Sequence, residues 1–544
     1  MRFKKPLMAW VALVAFAGSH AATANGSCYD GTTLKEIKAE LPPAERQLMV
    51  VVDRTVDFMD SPEEIARFKK KVINFVAGAL RPGDQLVLVP FGDLSGKNHA
   101  AESFNERMEP EVPQKLKSQV GRQDLKRLDS CLAKQHQKLQ REFAESVEEA
   151  FENIGSFSRT PLFEALRVAS TLINPEAGQA SVLVVSDLML HNDDLSFYRR
   201  GQLRPLDADA TVNHPFVQEQ LEQIDWHGAD LYLLGVGNGV TETGDTMNLW
   251  RLMDTWVALA KASNAGKVIM GSADLPRQPA NPRYVDNYIG AEQRSKCRAV
   301  LERHFPAYAQ PQRQVIILLD QTLEVTDPAE AKHYLEQVQQ YLTKAVKPGV
   351  QYSLVTFSQL SKTGYPEIKH EAINPRQVPD EVQRQLGRQD KQWVEWCLGQ
   401  IHTNASYAFW SRLQSEWPEK GSTSAHSTHL AVLDFLRQHA ADDLPVQVLL
   451  ISDLMLNVPD LSLYRSREAE GLAVLNGEQP NALLSMAEQR LNLIGIEVLG
   501  LGVGVGAIGK GETRRLTTLR KTWQSFLERL NADVIALESR SIPQ

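Results

Sequence analysis

Residues 184–198 read VVSDLMLHNDDLSFY, and residues 450–464 read LISDLMLNVPDLSLY. A chain that repeats a segment this closely is built from two copies of one architecture, and other pairs keep the same spacing. GRQD stands at Gly121–Asp124 and again at Gly387–Asp390, and Cys131 and Cys397 are equally far apart. LMVVVDRTVD (48–57) matches VIILLDQTLE (315–324), and LRPGDQLVLVPFGDLS (80–95) matches VKPGVQYSLVTFSQLS (346–361). LYLLGVGNGV (231–240) matches VLGLGVGVGA (498–507), Trp256 matches Trp523, and Cys28 matches Cys297. Order is kept throughout and gaps are small, so the chain is an internal duplication.

Within each copy, short apolar runs alternate with segments of helical spacing. In the first copy the runs are Leu48–Val52, Gln85–Pro90, Ser181–Ser186 and Leu231–Val236. Between and after them, helices are predicted over Pro62–Leu80, Val112–Asn153, Pro161–Leu172, Phe216–Ile224 and Met247–Ser263. Ser61 and Pro62 supply an N-cap and a first-turn proline. Continuous apolar strands separated by helices predict a mostly parallel sheet covered on both faces: an α/β, Rossmann-like fold, twice over.

At 544 residues, two domains are the expectation. Residues 1–24 read as a signal peptide: the basic start MRFKK, the apolar run Leu7–Gly18, then small residues, with cleavage after Ala24 or Ala21. Residues 25–270 form the first domain, with a helical insert at about 112–155. The proline-rich 271–296 reads as a linker, and 297–544 as the second domain, with an insert at about 379–416. The mature protein is expected to be periplasmic or secreted, with no transmembrane segment.

The formal net charge is −8, and losing Arg2, Lys4 and Lys5 makes the mature chain more negative still. The absence of a long basic tract argues against nucleic acid as the main partner. Export makes disulfides plausible for the four cysteines, the alternative being buried thiols. The repeat selects pairing within each copy, Cys28 with Cys131 and Cys297 with Cys397.

Ligands of an open parallel sheet bind beyond the carboxyl ends of its strands. The first strand of copy one ends in Asp53-Arg54-Thr55-Val56-Asp57, a later one in Asp187, and Ser158-Arg159-Thr160 opens a helix between them. Copy two offers Asp320-Gln321-Thr322-Leu323-Glu324, then Ser427-Thr428, then Asp453. This combination resembles the von Willebrand factor A domain. That family carries a metal-ion-dependent adhesion site (MIDAS): Asp-x-Ser-x-Ser after the first strand, a threonine from a later loop and an aspartate after the fourth strand.

The resemblance covers about residues 45–270 and 312–535. It implies Asp53, Thr55, Asp57, Thr160 and Asp187 as metal ligands in copy one, and Asp320, Thr322, Glu324, Thr428 and Asp453 in copy two. Asp57 and Glu324 depart from the pattern, standing where the family has its last serine. The extra carboxylate either adds charge for a hard cation or fills the position a partner's acid would take. Arg54 is a second candidate for the positive charge at this rim. The implied cation is Mg²⁺, Mn²⁺ or Ca²⁺, and the implied partner a protein whose carboxylate completes the coordination.

Other signals read as local structure. Gly504–Gly509 satisfies GxGxxG but follows the last strand of its copy, and Gly511 stands where a phosphate loop needs a hydroxyl, so a glycine-rich turn is expected. His426-Ser-Thr-His429 is read as a solvated loop, and His191-Asn-Asp193-Asp194 as a polar turn. No GxSxG marks a serine nucleophile. The leading expectation is therefore a non-enzymatic, cation-assisted protein–protein interaction module. A metal-dependent hydrolase using Asp53, Asp57 and Asp187, and a structural scaffold with degenerate sites, are the alternatives.

Overall fold

The computed structural model describes residues 28–539 apart from 30–31, 40–45, 56–60, 93–99, 101, 113, 118, 153–160, 176, 200–201, 240–244, 279–290, 324, 326–327, 359–364, 419–427, 459–460, 465–466 and 509–510. Two six-stranded sheets dominate. In the first repeat the strands are β1 (Arg46–Asp53), β2 (Gln85–Phe91), β3 (Phe104–Arg107), β4 (Gln179–Val185), β5 (Asp230–Leu234) and β6 (Val268–Gly271). In the second they are β7 (Arg313–Asp320), β8 (Val350–Phe357), β9 (Glu367–Ile373), β10 (Val446–Ile451), β11 (Ile496–Leu501) and β12 (Asp533–Glu538).

The order is β3-β2-β1-β4-β5-β6 in one sheet and β9-β8-β7-β10-β11-β12 in the other. All pairings are parallel except β2 with β3 and β8 with β9. This is the expected α/β class. The two antiparallel edge strands and the outer strands β6 and β12 were not foreseen: β3 and β9 are polar edge strands, and β6 is four residues long. The outer strands have apolar runs, Val268–Met270 and Val534–Leu537, but these are shorter and less buried than those of the central strands.

The central strands show why apolar runs were needed. Along β1, Leu48, Val50 and Val52 join one apolar cluster while Met49 and Val51 join another, so both faces of the sheet are covered. In β7, Val315, Ile317 and Leu319 face one cluster, and Ile316 and Leu318 the other. The cluster holding Met49 and Val51 is the one holding Ile316 and Leu318, so the two repeats share one continuous core. Helix Pro62–Ala79 begins as foreseen, with Ser61 Oγ accepting from Glu64 N and Pro62 in its first turn.

Each repeat also has a long helix, Arg122–Glu152 and Arg388–Glu416, within the segments read as inserts. Cys131 on the first is bonded to Cys28, and Cys397 on the second to Cys297 on helix Ala291–His304. Each bond sits in a small apolar satellite cluster of its own. Residues 1–24, read as a signal peptide, lie outside the described residues. Among the described residues no helix is long and apolar enough to cross a membrane.

The stretch read as a linker is in part packed structure. Ser272, Ala273, Asp274 and Leu275 are buried, and Lys71 Nζ donates to Ala273 O at 2.8 Å. Lys71 also pairs with Asp274 and, across the repeats, with Glu367, each at 3.2 Å. Burial pushes the Glu367 carboxyl up, but Lys71 and Lys369 outweigh it and hold the group at about 2. A carboxylate depressed on folding adds stability above its ordinary value near 4.5, and that stability is lost as pH falls toward 2. Burial raises the neighbouring Asp274, which works in the opposite direction. Glu367→Gln is therefore expected to cost on the order of 2 kcal/mol at pH 7 and to flatten the acid limb of a stability–pH profile below about pH 4.5. An unchanged acid limb in urea titrations would exclude Glu367 as its source.

Candidate functional site

The candidate site is built twice, at the carboxyl ends of β1 and β4 and of β7 and β10. Asp53 ends β1 and is wholly buried; its Oδ1 accepts from Thr55 N at 3.0 Å and its Oδ2 from Ser186 Oγ at 2.7 Å. Asp320 ends β7 and is equally buried; its Oδ1 accepts from Thr322 N at 2.9 Å and Thr322 Oγ1 at 2.6 Å, and its Oδ2 from Ser452 Oγ at 2.7 Å. The serine that directly precedes the second aspartate thus ties the two strand ends together in both repeats.

That serine also accepts from the backbone two residues on, Leu188 N in one repeat and Leu454 N in the other, each at 3.0 Å. Leu188 and Leu454 have φ of 59° and 58°, a left-handed conformation unusual for leucine. An indole holds each turn in place: Trp256 Nε1 donates to Leu188 O at 2.9 Å, and Trp523 Nε1 to Leu454 O at 2.8 Å. Asp187 Oδ1 and Asp453 Oδ1 accept from Met189 N and Met455 N, and Tyr198 OH reaches Asp187 Oδ2 at 3.3 Å. Trp523→Phe keeps the ring packing but strands a buried carbonyl, so it should cost about 1–2 kcal/mol in urea unfolding. Trp256→Phe should match it, and a loss under a few tenths in both would show that the turn holds itself.

Asp53, Thr55 and Asp187 are therefore gathered at the first rim, and Asp320, Thr322, Thr428 and Asp453 at the second. Thr428 is tied to the end of β8: its N donates to Ser358 Oγ at 3.0 Å and its Oγ1 accepts from Ser358 N at 3.1 Å. Asp57, Thr160 and Glu324 lie outside the described residues. Arg54 is half-buried beside Asp53, with Nε making no hydrogen bond among the described residues. Burial lowers its pKa, partly offset by the Asp53 carboxylate. Gln321, its counterpart, donates to Glu416 O.

One expectation is overturned. His429 is not in a solvated loop: it opens helix His429–His439 at 2% exposure, packed against the rings of Phe357 and Trp523. Its Nε2 is 2.8 Å from Ser452 Oγ and 3.4 Å from Asp320 Oδ2. Ser452 spends its one proton on Asp320, so its oxygen accepts from His429. The proton of His429 is then on Nε2, and Nδ1 is a buried lone pair without a partner among the described residues. Burial lowers this histidine's pKa, against the pull of Asp320, so the ring is neutral. In the first repeat Pro161 precedes the corresponding helix and supplies no such donor. Thr428 before an apolar helix was the signal that His429 points inward, and the serine of the repeated SDLML was the signal for Ser186 and Ser452.

Asp320, His429 and Asp453 form a potential metal-binding group, with ligand atoms all within 4.8 Å of one another. Two carboxylates and an imidazole are a chemically suitable donor set for a divalent ion. The other motifs stay structural. Gly235, Gly237 and Gly239, and Gly504 and Gly506, all have positive φ in tight turns, and His191 pairs with Ser196 Oγ at 2.8 Å.

No family model matches the chain, and no curated protein sequence does. Among solved structures it is similar to proximal thread matrix protein 1 from the mussel byssus, at 10% identity over 90% of this chain and 95% of that one, with a TM-score of 0.22. A further structure of that protein, with a zinc occupied MIDAS motif, aligns at 11% identity over 88% of this chain and 89% of that one, again at 0.22. At that identity and score, the fold assignment rests on the sheet order of the chain itself.

Proposed function

We propose that the chain is a tandem pair of von Willebrand factor A-like modules, divided near residues 271–296, that docks a protein partner at the carboxyl rims of its sheets with a divalent cation. The observation that carries this reading is the doubled rim. In each repeat an aspartate ending the first strand is bonded to a serine that immediately precedes a second aspartate after the fourth strand. When bound, the cation supplies a positive charge that a partner's carboxylate can complete. Asp53 with Asp187, and Asp320 with Asp453, would hold it, while the serines and indoles fix where those carboxylates stand. The two disulfides favour an oxidising compartment, in keeping with an exported protein.

The test is capture of a partner from the native envelope by immobilised full chain, with and without chelator, alongside Asp187→Ala and Asp453→Ala. A partner retained with Mg²⁺, Mn²⁺ or Ca²⁺ and lost both on chelation and in either variant is the expected result. Capture indifferent to chelator and to both substitutions would leave the rims without this role.

The shared core favours a second component to the reading, in which the paired repeats act as one rigid body. It sets the distance between the two rims and is compatible with docking at either.

A further inference from the structure

We infer that the second repeat binds a borderline transition-metal dication, of the zinc class, through Asp320, His429 and Asp453. The inference rests on reading the rims as cation sites and adds what the hydroxyl-and-carboxylate pattern lacks, a nitrogen donor. His429 Nε2 stands 3.4 Å from Asp320 Oδ2; to ligate an ion it gives up the hydrogen bond to Ser452 Oγ, the neutral ring carrying its proton on Nδ1 instead. Two ligands held about 2.1 Å from one ion at the tetrahedral angle are about 3.4 Å apart, so this edge already has the length that zinc coordination requires. Asp453 supplies the third corner within 4.8 Å.

The imidazole is held there by its surroundings. Phe357 and Trp523 pack against the ring, and its position as first residue of helix His429–His439 fixes the backbone. All three residues are buried, Asp320 at 0%, His429 at 2% and Asp453 at 5% exposure, so an ion among them would have few waters to keep. Mg²⁺ holds several waters and demands octahedral oxygen geometry, whereas Zn²⁺ takes nitrogen and oxygen in a tetrahedron. Neutral imidazole is a ready ligand for the second and a poor one for the first. In the first repeat the position of His429 is held by Pro161, whose side chain has no nitrogen to offer.

The experiment uses the full chain. Zn²⁺ and Mg²⁺ are titrated calorimetrically into wild type, His227→Gln and His429→Gln, and Co²⁺ is followed by its visible absorption in wild type. Expected are the intense ligand-field bands of a tetrahedral nitrogen-containing Co²⁺ site, displaced by Zn²⁺ and not by Mg²⁺. Zinc affinity should fall at least tenfold in His429→Gln and stay unchanged in His227→Gln, which removes an exposed imidazole outside both rims. Zinc bound equally well without His429, or only weak octahedral Co²⁺ bands in wild type, overturns the inference; the second readout holds even should His429→Gln fail to fold. Partner capture lost in Asp187→Ala with zinc affinity intact separates the docking reading from this one.

Discussion

Replacing Cys297 and Cys397 together by alanine is expected to lower stability by about 4–5 kcal/mol, as the loop-entropy account gives for a closed loop of this size; the cysteines are 100 residues apart. The loss should not be uniform. Both cysteines are fully buried in a satellite cluster with Leu301, Phe305, Tyr308, Val394, Leu398 and Ile401, apart from the sheet cores. Helix Ala291–His304 is mostly polar, so it has little apolar surface with which to hold itself against Arg388–Glu416. Its other ties include His304 with Asp390 at 3.0 Å, Lys296 over the Trp393 ring at 5.9 Å and, just past its end, the Arg376 guanidinium over the Phe305 ring.

Hydrogen exchange should therefore show amides 297–309 losing protection first, while β7 keeps the protection of the wild type. Cys28→Ala with Cys131→Ala should repeat the pattern in the cluster of Tyr29, Leu34 and Ile37. Unchanged exchange in both satellites, with an unfolding midpoint that barely moves, would mean that the helices dock without their covalent ties.

What could be read before any coordinates follows from how much each element depends on distant partners. The central strands announce themselves because burial on both faces demands an unbroken apolar run, as in Met49–Val52 and Ile316–Leu319. The edge strands Phe104–Arg107 and Glu367–Ile373 owe their conformation to pairing with β2 and β8, and nothing in their own composition requires it. The aspartates of the rims were legible because each ends such a run. Ser186 and Ser452 were not, since a small hydroxyl between a strand and an aspartate looks like any turn residue until the neighbouring strand brings Asp53 or Asp320 to it. His429 was misread for a similar reason: its burial comes from Phe357 and Trp523, which lie far off in sequence on either side.

The second large effect lies where the repeats meet. Arg490, at the end of helix Ala482–Arg490, pairs with Asp434 on His429–His439 at 3.1 Å and with Asp254 on Thr246–Ala262 of the first repeat, and lies 5.7 Å from the centroid of the Trp250 ring. Burial lowers the guanidinium's pKa, but the two carboxylates outweigh it and raise it overall, so the charge stays fixed at any ordinary pH.

Arg490→Met fills similar volume but leaves Asp434, itself 3% exposed, with Arg437 and Gln438 as its side-chain partners among the described residues. Arg437 still balances part of that charge, so the expected cost is about 1.5–3 kcal/mol, that of a lost hydrogen bond to a charged group. Adding Asp434→Asn to Arg490→Met should recover part of that loss, since the variant pair no longer buries a carboxylate that has lost its shorter ion pair. In calorimetry the wild type should unfold in one cooperative transition because the repeats share a core. Arg490→Met should separate it into two, with the shared helices exchanging earlier than β1 and β7. An Arg490→Met protein within about 0.5 kcal/mol of wild type, the range of ordinary surface substitutions, would show instead that the apolar contact alone joins the two halves and that the ion pair only decorates its edge.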